Sequence, residues 1–247
     1  MKSTLRTLRI LETVAEHQPV GLGDLAQMFQ LPKSTVQRSL TTLADAGWLR
    51  VKKADGVRWE LTPRALAVGR RSATETGLRE AALGPMQWLR DTTDETIHLA
   101  VPDGLRSLVL VERMDSTQPV RTFIRLGAVT PLHATCTGRS VLAHLPEADV
   151  EQVIARGLES YSAQTITDPE QLRRDLRRTR RRGYAVNLCE FRPDVCAVGA
   201  AILDTDGLPT AGICISLPAS RFRRRQIPGL GELVNKAAAE ISTNLAQ

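Results

Sequence analysis

Nowhere in its 247 residues does the chain approach the roughly 18 consecutive apolar residues a membrane-spanning helix requires. Cysteine is sparse. The four copies, at 136, 189, 196 and 214, show no framework spacing and no Cys-x-x-Cys, and no two histidines lie close in sequence. A disulfide scaffold is excluded, and no zinc-binding pattern is present. Met1-Lys2-Ser3-Thr4 leads into an amphipathic helix where a signal peptide would carry its apolar core. Internal repeats and low-complexity linkers are also missing. The expectation is a reduced, cytoplasmic protein with no membrane segment, metal or cofactor. Its length exceeds the usual single domain, and 42% hydrophobic residues are enough to fill two cores.

What the chain does have is concentrated in Leu31-Pro32-Lys33-Ser34-Thr35-Val36-Gln37-Arg38. Val36, Leu40 and Leu43 fall on one narrow helical face, while Ser34, Arg38 and Thr41 take the opposite face with Gln37 at its flank. Pro32 suits the first helical position, where its missing N–H costs nothing. Upstream, Leu22, Leu25, Ala26 and Phe29 mark a short helix, a turn through Gln30 and Leu31 follows, and Leu8, Leu11, Val14 and Ala15 stripe a third helix. Downstream, Gly47 ends the helix in a left-handed conformation. Trp48–Val51 and Val57–Leu61 then read as strands joined at Asp55-Gly56. Three helices and a hairpin make a winged helix-turn-helix. Its candidate DNA contacts are Lys33, Ser34, Thr35, Gln37, Arg38 and Thr41 on the helix, with Lys52 and Arg58 on a wing that also carries Arg50 and Lys53.

Charge agrees. Residues 1–90 hold 14 Lys/Arg against 8 Asp/Glu, whereas residues 91–247 hold 19 against 19, so the whole net +6 sits with the helix-turn-helix. Phosphate neutralisation supplies most non-specific affinity, which is where a DNA-binding module places its cations. A solubilising basic surface would give the same sign without the motif.

The expected organisation is a winged helix at 1–62, a linker helix at 63–90 and an α+β domain on an antiparallel sheet at 91–247. Thr62-Pro63 opens the linker, continuing through Leu66, Ala67 and Arg70-Arg71, and Gly77 and Gly84-Pro85 are expected breaks or kinks in it. A second helical stretch runs from about Leu78 to Arg90. Glu95–Val101 and Ser107–Val111 form a hairpin, and another strand is expected at Val120–Ile124. Short helices follow near 138–145 and 147–156. Asp168 caps a longer helix that ends at Gly183, with Gln171 placed for a capping box. Strands at 184–188, 195–203 and 210–217 precede a closing helix over about 229–245. The arginine-rich run 173–182 spreads its charges round a helix with Leu172 and Leu176 facing the core, and reads as a solvated face with local carboxylate partners. Arg221 and Arg223–Arg225 suit either an interface or an anionic ligand.

Six segments resemble the IclR family of transcriptional regulators over essentially the whole chain. They are Leu31–Val36, Glu95–Val101, Pro131–Thr135, Thr165–Pro169, Arg182–Val186 and Ile215–Pro218, in the family's order. The resemblance implies a winged helix-turn-helix, a linker helix and a GAF-like effector-binding domain. It also implies homodimers, often paired into homotetramers, that bind an operator in double-stranded DNA and repress or activate genes of small-molecule catabolism. The family's effector positions correspond here to Cys136, Thr137, Gly138, Asn187, Cys196, Cys214 and Ser216, for a small carboxylate or aromatic acid. Backbone N–H groups near Gly138 would hold a carboxylate. Cys136, Cys196 and Cys214 read equally well as small buried core residues, and His133 as a structural hydrogen-bonding residue.

The chain departs from the family pattern at several positions. Ser39 stands for leucine, Trp59 for tyrosine, Glu60 and Thr62 for arginine and glycine, Arg139 for lysine, Asn187 for an acidic residue and Cys214 for serine. Glu60 would repel a phosphate, which leaves the wing to Arg58 and Lys52. Two other function classes compete. Cys136 with His133 suggests a thiol or metal-dependent enzyme, but the segment has no orienting third group and no metal-ligand spacing. A constitutive DNA-binding protein with a vestigial sensor would lack any ligand-dependent shift in operator affinity.

Overall fold

The computed structural model describes residues 2–54, 56–74 and 77–247, without the side chains of Lys2, Lys53, Ala54 and residues 70–74. Met1, the Asp55 half of the expected turn, the Lys53 cation and the Arg70-Arg71 side chains therefore lie outside the described residues. The chain divides into two compact units, Met1–Glu75 and Thr76–Gln247.

The first unit runs α1 (Lys2–His17), β1 (Val20–Gly21), α2 (Leu22–Phe29), α3 (Lys33–Asp45), β2 (Leu49–Ala54), β3 (Gly56–Leu61) and α4 (Arg64–Thr74). Ile10, Val14, Leu25, Val36, Leu40, Leu43, Leu49 and Trp59 meet in one core, so the apolar stripes of the three helices face each other. Gln30, at φ 52°, makes the turn between α2 and α3. Pro32 is not the first residue of α3, as expected, but its cap. At φ −57° and ψ 138° it stays extended, and its carbonyl accepts from the N–H groups of Thr35 (2.9 Å) and Val36 (3.3 Å). Gly47, at φ 78°, follows the end of α3, with Trp48 N–H returning to the Leu43 carbonyl at 2.8 Å. The wing pairs Leu49 with Leu61 through Ala54 with Gly56. A two-residue third strand, β1, adds Val20 opposite Trp59 and is too short to leave a sequence pattern.

The second unit contains α5 (Leu78–Thr93), β4 (Thr96–Asp103), β5 (Ser107–Met114), β6 (Val129–Pro131), α6 (Cys136–Leu142), α7 (Glu147–Ala155), α8 (Pro169–Arg182), β7 (Ala185–Leu188), β8 (Val195–Leu203), β9 (Pro209–Pro218) and α9 (Ile227–Leu245). Six antiparallel strands lie in the order β6-β5-β4-β9-β8-β7. Alternation divides the sheet. Ile97, Leu99, Cys196, Val198, Ile213 and Ile215 face one way, with Met86 and Leu89 of α5 and Val234, Ala237 and Ile241 of α9. Ala100, Leu108 and Leu110 take part in a second core with Val141 and Leu142 of α6, Val150 and Val153 of α7, and Leu172 and Leu176 of α8. On that side Gly212 lets α6 rest on the sheet, because a Cβ there would meet Thr137 Cγ2 at 2.6 Å. Among the described residues no helix is long and apolar enough to cross a membrane.

Two further expectations are corrected. Of the break or kink expected at Gly84-Pro85, the break does not occur, because α5 is one helix from Leu78 to Thr93. Pro85 cannot donate to the Ala81 carbonyl, and the Asn244 side chain of α9 takes that acceptor instead at 3.1 Å. Val120–Ile124 is not a strand, and β5 pairs instead with β6. Arginines hold the carbonyls of this segment: Arg221 donates to Val120 (2.5 Å), Arg192 to Phe123 (3.2 Å) and Arg113 to Ile124. Helix α8 carries Asp168 as its cap, accepting from Gln171 N–H at 2.6 Å, and ends at Gly183 with φ 86°. Its arginines have local partners, Arg173 pairing with Glu151 and Glu170, both at 2.5 Å. Arg221 is bidentate to Glu95.

Candidate functional site

Helix α3 buries Val36, Ser39, Leu40 and Leu43 and leaves Lys33, Ser34, Arg38 and Thr41 exposed, with Thr35 and Gln37 half-buried. Ser39 fits the core because its hydroxyl accepts from the Thr7 hydroxyl of α1 at 3.1 Å. Gln37 Nε2 donates to Thr41 Oγ1 at 3.2 Å, which lines two polar groups up along the exposed face. Lys33 and Arg38 have no ion-pair partner among the described residues. The wing is different. Glu60 pairs with Arg50 at 2.8 Å and with Lys52 at 3.8 Å, and Arg58 pairs with Asp24 at 3.4 Å. Glu60 therefore offsets charge on Arg50 and Lys52, whereas Lys33 and Arg38 of α3 carry theirs without an ion-pair partner among the described residues.

In the second unit a cavity of about 600 Å³, counting its open mouth, lies between the sheet and the start of α6. Five of the seven expected effector residues line it: Cys136, Thr137, Asn187, Cys214 and Ser216. Two do not. Cys196 faces the other side of β8, because Val195 and Ala197 are the residues of that strand turned to the cavity. Gly138 packs against Leu132, and its N–H donates at 3.1 Å to Thr135 Oγ1, the cap of α6, so it is not open to a ligand.

Sequence reasoning missed His98, Thr122, Ile124, Phe191 and Arg192, which also line the cavity. His98 was legible in one respect: in Ile97-His98-Leu99 it is the polar residue between two apolar ones, on the face that Ile97 and Leu99 avoid. Its Nδ1 lies 3.9 Å from Cys214 Sγ, and its Nε2 is buried without a protein partner. An unmet buried nitrogen costs about 1–3 kcal/mol, which a ligand with a polar group would recover. Burial pushes the Cys136 thiol well up, so it stays protonated and acts as a small apolar wall. His133 is held through Nε2 by the Glu159 carbonyl at 2.9 Å and does not line the cavity. Burial lowers its pKa.

Asn187 uses both ends of its amide. Its Nδ2 donates to the Ala134 carbonyl at 2.6 Å and its Oδ1 accepts from Glu190 N–H at 3.2 Å. Asn187→Asp turns the donor into an anion facing a carbonyl. A loss of about 1–3 kcal/mol in urea unfolding at neutral pH is expected, and an unchanged midpoint would show that this bond does not hold the loop.

The comparisons with known proteins agree with this geometry. The family model described as the IclR helix-turn-helix domain matches residues 3–52, and that of the bacterial transcriptional regulator IclR C-terminal domain matches residues 70–243. The transcriptional repressor IclR of Escherichia coli K12 is 32% identical over 245 residues, covering 98% of this chain and 89% of the relative. The acetate operon repressor of Salmonella typhimurium has the same identity and coverage. Among solved structures, Thermotoga maritima IclR superposes with a TM-score of 0.78 at 27% identity, over 100% of both chains. An IclR homologue from Microbacterium hydrocarbonoxydans, complexed with 4-hydroxybenzoate, gives 0.82 at 26% identity over 98% of each. The chain belongs to the IclR family and is a ligand-responsive, DNA-binding transcriptional regulator.

Proposed function

We propose that the exposed face of α3 enters the major groove of an operator, with Ser34, Thr35, Gln37, Arg38 and Thr41 toward base edges and Lys33, Lys52 and Arg58 toward phosphates. The division of labour is a winged helix at 1–62, a linker at 63–90 whose second helix, α5, is built into the core of the effector-binding unit, and an effector-binding domain at 91–247. The working form is a cytoplasmic homodimer or homotetramer, because one recognition helix reads too few base pairs, and the protein is a regulator with no catalytic step. Exposed Leu5 and Leu8 on α1 and Leu66 and Val68 on α4 supply apolar surface for assembly.

The effector is a small carboxylate or aromatic acid. The observation that carries this reading is the cavity itself, apolar along Ala100, Leu110 and Ile124, polar at His98, Asn187 and Ser216, with Arg192 among its lining residues. A ligand preferring one of two conformations shifts operator occupancy through residues 63–90. A 10–100-fold difference in affinity is worth about 1.4–2.8 kcal/mol.

The test is a gel-shift titration on the promoter region of its own gene, with and without 4-hydroxybenzoate and small aliphatic acids. Failure to bind that DNA at low salt would overturn the reading. Arg38→Ala is expected to weaken binding by about 1–3 kcal/mol and to relax sequence preference. Lys33→Ala should weaken all sequences alike and flatten the log-affinity against log-salt plot by about one unit. If both variants bind as wild type, α3 is not the reading element.

A further inference from the structure

One pair of side chains is used by neither DNA binding nor the cavity wall. Cys189 Sγ lies 3.5 Å from Cys196 Sγ, with Cys189 half-buried and Cys196 buried. Backbone pairing sets this approach. Leu188 is opposite Cys196 in the β7–β8 ladder, and one residue further on Cys189 N–H donates to the Val195 carbonyl at 3.2 Å. Cys189 has φ 64°, a conformation that costs an L-residue about 1–2 kcal/mol, and Ser162 Oγ holds it by donating to its carbonyl at 2.8 Å. The left-handed turn keeps both thiols at the neck of one loop. That loop carries Phe191 and Arg192, which line the cavity.

We infer that Cys189 and Cys196 form a reversible dithiol–disulfide site, oxidised by hydroperoxides, that closes residues 189–196 into a ring at the edge of the cavity. Cys189 meets the oxidant first, being the more exposed of the two. Burial pushes the Cys196 thiol up to about 12, which keeps it from meeting the oxidant first; it attacks only as its proton passes to the departing sulfenic hydroxyl. The Cys189 sulfur attacks one peroxide oxygen, the O–O bond breaks, and the thiol becomes a sulfenic acid with loss of water from hydrogen peroxide, or of an alcohol from an organic hydroperoxide. The Cys196 sulfur then displaces the sulfenic hydroxyl, the S–S bond forms, and water leaves with the Cys196 proton. Two electrons pass from the two thiols to the peroxide, and a thiol reductant reverses the step. The sulfurs must close from 3.5 Å to about 2.05 Å, within reach of side-chain rotation. The ring fixes the backbone that carries Phe191 and Arg192, so oxidation restricts ligand access. That consequence rests on the cavity being the effector site.

The full chain, reduced and then treated with a small excess of hydrogen peroxide, is expected to lose two hydrogens by intact mass and to regain them with dithiothreitol. Endoproteinase Glu-C cuts after Glu190, between the two cysteines, so the resulting fragments should stay joined until reduced. Amide exchange at residues 190–195 should slow on oxidation. Four intact thiols, sulfinic acid at Cys189 alone, a link between Cys136 and Cys214, or a link between chains would each overturn the site. A joined fragment with unchanged exchange would overturn the fastening of the loop. None of these readouts contains DNA or effector, so a failure of the cavity reading leaves them unaffected.

Discussion

Arg139→Ala is expected to destabilise the second unit by about 3–5 kcal/mol, the usual cost of stripping one partner from a buried ion cluster. Arg139 has no exposed surface and is the largest such side chain among the described residues. From α6 its Nη2 donates both to Glu190 and to the Val186 carbonyl of β7, while its Nε lies 3.2 Å from Asp175 Oδ2 of α8 as a charge contact without a hydrogen bond. Removing it leaves two carboxylates facing each other with little access to water. Burial already pushes the Glu190 carboxyl up, with Arg139 pulling it back down, so the variant raises it further.

The sign of the pH dependence follows. A carboxyl whose folded pKa is raised holds its proton longer in the folded state, so stability falls as pH rises from the ordinary carboxylate range through the raised folded value. The deficit of Arg139→Ala should therefore be full at about pH 7 and smaller at about pH 5, measured as urea midpoints at each. Arg139→Lys keeps a charge but cannot place one nitrogen on Glu190 and the Val186 carbonyl and a second beside Asp175, and should fall between. A loss under about 1 kcal/mol, or one that ignores pH, would mean that water or relaxation replaces the arginine.

In the sequence, Arg139 was visible only as a basic residue standing for another. Its partners are 36 and 51 residues away, and neither composition nor periodicity carries that separation. Local patterns fared better where one face decides the element. Val36, Leu40 and Leu43 specified α3 because they need a common buried side, and short apolar runs parted by the Asp206-Gly207 turn marked β8 and β9, which are buried on both faces. Such patterns failed where side chains take the place of a neighbouring strand. Val120–Ile124 has strand-forming residues, yet its carbonyls are met by Arg221, Arg192 and Arg113 from distant segments. Gly84-Pro85 reads as a break because its compensation, Asn244, is remote in sequence. For the cavity, the family pattern supplied five positions, while strand parity alone separates Cys196 from Ala197 and points to His98.

Gly138→Ala is the substitution expected to damage the cavity most. An added Cβ would lie 2.1 Å from the Leu132 carbonyl oxygen and 2.5 Å from its Cα, and both are backbone atoms that cannot swing aside. Either α6 lifts from the 132–134 segment or the segment shifts, and Thr135, Cys136 and Thr137 move with it. Overpacking costs about 1–3 kcal/mol, and a clash with backbone atoms belongs at the upper end of that range. Thermal melts followed by circular dichroism should show a large drop in midpoint, and any stabilisation by 4-hydroxybenzoate seen in wild type should vanish. Gly229→Ala is the control. It adds the same methyl at a helical position with nothing within 4 Å, and should be neutral or gain about 0.4–1 kcal/mol by restricting the unfolded chain. Should Gly138→Ala melt with wild type while the control behaves as expected, the close approach of α6 to Leu132 is not what sets Cys136 and Thr137 in the cavity wall.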